Sequence, residues 1–134
     1  MLPYRQYGEK VRYTMEIKKC NFDLTNKKLV YKLTKSSGAM VQEAPDGLSV
    51  PIRHWALFND PKESKDSTLR DNLVLSFIDA SGAKYSTISA TFIREFLDIA
   101  AIMEPDPFAI LLVHGTTKGG KAFVSCELDC DYGE

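Results

Sequence analysis

A chain of 134 residues is long enough for one domain with a substantial core and too short for two comfortable ones. Its 44% hydrophobic and 26% charged residues are a globular composition, which excludes wholesale disorder, and no apolar run approaches the ~20 residues of a membrane span. The net charge of −1 excludes a uniformly basic surface but conceals an asymmetry: residues 1–35 carry nine basic side chains against three carboxylates, and the last eight residues carry four carboxylates and no base.

In chain order, residues 11–20 and 28–35 alternate, with Tyr13, Met15 and Ile17, then Leu29, Tyr31 and Leu33, on single faces. That period of two predicts two half-buried strands, joined by a turn at Asp23, Thr25 and Asn26. A short strand is expected near Ala39–Glu43. Pro45-Asp46-Gly47 is a turn, because proline presets φ and glycine accepts a positive one. Residues 48–58 read as an apolar strand that Pro51 confines to an edge or to a bulge. Residues 59–68 are polar and predict a mobile loop.

Leu69–Asp79 and Lys84–Ser89 follow as strands about a turn at residues 80–83. A helix is expected at about 91–104, where Phe92, Ile93, Phe96, Leu97, Ile99, Ala100 and Met103 form one apolar stripe. Ser89 or Thr91 would cap it, and Pro105 and Pro107 would stop it. Phe108–His114 and Ala122–Leu128 are predicted strands about a turn at 115–121. A helix set between strands of a small β protein is the layout of OB-type barrels, and an open α+β sheet is the alternative.

Gly115-Thr116-Thr117-Lys118-Gly119-Gly120-Lys121 matches a phosphate-binding loop, but Ala122 replaces the Ser or Thr and strand-like residues follow where a helix is needed. A basic hairpin or a plain turn suits it better. His54 and His114 sit in no nucleophile motif, so no catalytic residue is assigned. Cys126 and Cys130 lack the paired spacing of a zinc site, and with Cys20 they make an odd set, read as free thiols in a reducing cytoplasm. No metal or other cofactor is expected. No secretory leader is read at the N-terminus.

Aromatic and basic residues interleave, as single-strand binding demands: bases stack on exposed rings while cations meet phosphates. The candidate stacking residues are Tyr85, Trp55, Tyr31 and Tyr13, and the candidate phosphate contacts are Arg12, Lys32, Arg53, Lys84, Lys118 and Lys121. Rings that simply fill a core, and lysines that merely solvate a face, are the alternative for each.

Residues 77–128 resemble the single-stranded DNA-binding proteins of small tailed phages that replicate linear genomes by protein priming. The likeness rests on Gly82, Tyr85-Ser86, Ile88-Ser89 and Thr91 leading into the helix. It continues with Phe108, Val113, Gly115-Thr116, Gly120, Phe123, Ser125 and Leu128, and Pro45-Asp46-Gly47 looks like the family's turn. The resemblance implies a non-catalytic protein that binds single strands without sequence preference, with Tyr85 at the position of a stacking tyrosine. Residues 1–35 have no clear counterpart in it.

The expectation is therefore a mostly-β chain, an OB-like small barrel with one α-helix between strands near the C-terminal end. It would span residues 1–128, with 1–10 a candidate flexible arm and 129–134 an acidic tail. Its partners would be single-stranded DNA and, through the tail, replication proteins, in the cytoplasm of the host; self-association is a candidate state. The rival is a phage protein-interaction module that inhibits a host protein.

Overall fold

The computed structural model describes residues 15–63, 65, 66 and 68–133. The expected arm at 1–10 and the candidate residues Arg12 and Tyr13 lie outside them. The first strand, β1 (Glu16–Cys20), falls within the expected 11–20 segment and pairs antiparallel with a later strand.

The second expected strand is instead a helix, α1 (Lys27–Thr34). Asn26 caps it, its Oδ1 accepting a hydrogen bond from the Leu29 N–H at 3.3 Å. Leu29 and Leu33 stand four apart, which places both on one helical stripe, and both join an apolar cluster against the sheet. Tyr31, which alternation would have put beside them, turns to solvent and is 61% exposed. Two β-strand side chains grip the helix's C-terminal end: Ser76 Oγ donates to the Leu33 carbonyl and Lys84 Nζ to that of Ser36. The described residues thus hold two α-helices where one was expected.

After β2 (Ala39–Met40) comes a single 3-10 turn (Val41–Glu43), so the expected strand at 39–43 is cut short. The turn at residues 45–47 forms, with Gly47 at φ +80°. The long strand β3 (Ser49–Asn59) is interior to the sheet, not at its edge. It is bulged: Ile52 faces one side and His54 the other, which leaves Arg53 as the extra residue. Asn21 serves this bulge, with Oδ1 accepting from the Trp55 N–H and Nδ2 donating to the Arg53 carbonyl. Pro51 is tolerated because it lies one step beyond the last β3 residue paired with β6 (Leu73–Asp79).

The expected loop at 59–68 holds β4 (Lys62–Glu63), which pairs with β5 (Leu69–Arg70) to prolong the β3–β6 hairpin as a short ribbon. The expected strand at 69–79 is thus two, broken at Asp71 and Asn72, whose side chain and backbone are bonded to the Asn59 amide. Next come β7 (Lys84–Thr87), α2 (Ala90–Met103), β8 (Phe108–Thr116) and β9 (Ala122–Leu128), close to expectation. Ser89 is the cap of α2, accepting from the Phe92 N–H at 3.2 Å.

The sheet runs β2-β7-β6-β3-β8-β9, with β1 beside the second half of β3. It curls into a half-barrel. The 3-10 turn packs against both β7, second in that order, and β9, at its far end, which only a strongly curled sheet allows. On one side α2 presses Phe92, Phe96 and Ala100 against Trp55, Leu57, Leu75, Phe77, Ile110, Leu112, Val124 and Cys126. On the other, α1 and β1 cover Ala56, Phe58 and Ile78 with Leu33, Leu29 and Ile17. Mostly strands with a helix set between β7 and β8 is as expected.

Candidate nucleic-acid interface

The two sides of the sheet sort the candidate residues. Trp55 points to the α2 side and is only 4% exposed. Its ring meets Phe96 edge-on at 5.5 Å between centroids, and its Nε1 donates to Glu104 Oε2 at 3.0 Å. A stacking platform needs an open face, and this ring has none, so the expected role of Trp55 is set aside. Tyr85 also faces the α2 side. It stacks on Phe77 at 5.6 Å and stays partly exposed, so one face is backed by the core.

Tyr31 and Lys32 stand on the opposite side of the sheet, on the solvent face of α1 with Lys27, Lys28 and Lys35. Residues 24–42 hold these four lysines and not one carboxylate, so nothing local in the sequence neutralises them. Lys84 points to this side too. Its ammonium donates to the Ser36 carbonyl, and burial lowers its pKa below the ordinary lysine value. Arg53 is exposed at the β3 bulge. Beside it His54 meets Phe22 edge-on at 6.2 Å, and burial, then the neighbouring Arg53 charge, hold its pKa below the usual imidazole value.

Lys118 and Lys121 lie in the turn between β8 and β9, both exposed. The turn is tightly built: the Thr117 N–H donates to the Lys121 carbonyl, the Gly120 N–H to that of Thr117, and the Lys121 N–H to Thr117 Oγ1. It is a hairpin followed by a strand, not a phosphate-binding loop followed by a helix. Just behind it sits Phe123, 41% exposed and absent from the sequence-based candidates. Gly115 stands opposite, and a Cβ there would come within 2.6 Å of the Phe123 ring. The ring therefore lies on bare backbone. The signal in the sequence is the pairing of an aromatic with a glycine across a predicted hairpin, legible only once the register is known.

Among the described residues no cluster of three His, Cys, Asp or Glu side chains could hold a metal ion. Cys126 is buried, and burial first, then Glu95 and Glu127, push its thiol up to about 12. No helix among them is long and apolar enough to cross a membrane.

The arrangement joins a curled sheet to exposed lysines and tyrosine on one side and to a buried aromatic core on the other. Over residues 13–129 the chain matches the family model described as phage single-stranded DNA-binding protein, of the phi29 type. The chain belongs to this family: a non-catalytic phage protein whose ligand is single-stranded DNA in replication. The match reaches well upstream of residue 77 and takes in β1 and α1, so most of the basic segment has a counterpart in the family after all. No curated protein matches the chain, and no solved structure does.

Proposed function

We propose that the protein coats single strands without sequence preference, using exposed rings for bases and scattered lysines for phosphates, on a curled sheet of the OB-like barrel kind. The observation that carries this reading is the solvent face of α1, where Tyr31 stands open amid Lys27, Lys28, Lys32 and Lys35. Stacking on a ring and attraction to phosphate act on any base sequence. Arg53, Lys118 and Lys121 extend the basic surface along the sheet, and the partly exposed Tyr85 offers a further ring at the β2–β7 edge. Arg12 and Tyr13 are candidates of the same kind.

The same reading gives residues 1–128 to the binding domain and 129–134 to a tail that docks replication proteins, with the host cytoplasm as the site of action. Self-association along the strand is compatible with it. Affinities for poly-dT and for duplex of equal length test it. We expect poly-dT to bind at least about tenfold tighter, because a paired base is not free to stack. Equal affinity would leave only a basic patch.

A further inference from the structure

We infer that the β8–β9 hairpin is a nucleotide-binding subsite in which Phe123 stacks a base and Lys121 holds the adjoining phosphate. The inference rests on the single-strand reading above and adds a residue to it.

Side chains alternate along β9, and Val124 and Cys126 point to the α2 core, so Phe123 and Ser125 point to the other side. The ladder continues one pair past the strand, since the Thr117 N–H donates to the Lys121 carbonyl. Lys121 is thus in register with Phe123, two residues along, and its side chain leaves the same face. Two residues of extended chain span about 7 Å. A long lysine stem covers that distance easily, so one nucleotide can touch both.

An aromatic ring exposed on a sheet can be held in several ways. This one is backed by Gly115, whose missing Cβ lets the ring lie against the neighbouring strand. A ring supported on one face and open on the other loses little freedom when a base covers it, which is what a stacking platform requires. Any larger residue at 115 would lift or tilt it. The site is also favourably charged: Lys118 and Lys121 are both exposed, and neither makes an ion pair among the described residues. Among the described residues β9 is the last strand of the sheet order and no strand pairs with its outer edge, so a strand of DNA can approach along it.

The alternative is that Phe123 only shields the glycine backbone, as aromatics on edge strands do. Phe123→Leu separates the two, since leucine still shields but cannot stack. Full-length Phe123→Leu should fold as the parent does by circular dichroism and bind poly-dT about 5- to 100-fold more weakly. Phe123→Tyr should restore most of the loss. Phe123→Trp adds an exposed indole, and its emission should fall on adding poly-dT in excess of the parent's response. Gly115→Ala should weaken binding in the same direction as Phe123→Leu. Parent affinity in a folded Phe123→Leu, or no added quenching in Phe123→Trp, would overturn the subsite while leaving single-strand binding intact. Failure of the parent itself to bind poly-dT would instead overturn the reading on which it rests.

Discussion

Trp55 is the chain's one tryptophan, and its indole is closed in by Phe96 and bonded to Glu104. Saturating poly-dT should therefore leave tryptophan emission nearly unchanged while tyrosine emission falls, a split that a fluorescence titration at two excitation wavelengths resolves. Strong tryptophan quenching would require α2 to swing away from the sheet. Which rings are open was not legible in the sequence. Trp55, Tyr85 and Tyr31 all have basic neighbours in the chain, yet only the tertiary packing decides that the first fills a core, the second backs onto Phe77 and the third stands free. The cations were easier, because long charged side chains reach water from almost any element. Phe123 was missed because its open face depends on Gly115, a residue eight positions away that only strand pairing brings opposite.

Among the elements, α2 and β9 were readable because their signals agree. Fourteen residues give the helical period room to repeat, Ser89 caps the start, and a proline follows the end. α1 has only eight residues, and in two turns the spacing of Leu29 and Leu33 fits both a period of two and a period near four. The Asn26 cap and the run of lysines and leucines, good helix formers, decide for helix, and burial of Leu33 against the sheet secures it. Lys84 then changes meaning. Its ammonium bonds the Ser36 carbonyl just beyond the C-cap of α1, so it ties down the end of the helix whose other face bears Tyr31 and Lys32. The salt dependence of binding distinguishes such a residue from a phosphate contact. Lys32→Ala should make the slope of log K against log salt shallower by about 0.7, the loss of one contact to a single strand. Lys84→Met should leave the slope unchanged and instead lower the melting free energy by about 1 kcal/mol, as one charged hydrogen bond at a partly open site would. A shallower slope for Lys84→Met would return it to the phosphate contacts.

At the scale of the whole molecule, the two ends of β9 carry opposite charge. Lys118 and Lys121 precede it, and Glu127, Asp129 and Asp131 lie at or beyond its last residues. The acidic end is built into the sheet by Asp129. Its N–H donates to the Ala109 carbonyl at 2.9 Å, and its carboxylate accepts from Ser49 Oγ at 2.6 Å and from the Asp131 N–H at 3.1 Å. A truncation that tests the tail should therefore retain Asp129 and remove residues 130–134. Seven residues of strand separate Lys121 from Asp129, about 26 Å of extended chain. The Debye length is about 8 Å at 0.15 M salt and about 30 Å at 0.01 M. The truncated protein should then bind poly-dT as the full chain does at 0.15 M and modestly tighter at 0.01 M, where repulsion between the tail and phosphates near the hairpin is still felt. Titrations at the two salt concentrations check this. A tightening that persists at 0.15 M would mean that the tail reaches over the basic surface and competes with DNA directly. Weaker binding by a truncated protein that still folds would assign Cys130 or Tyr132, both exposed beyond the last strand, to the DNA-binding surface itself.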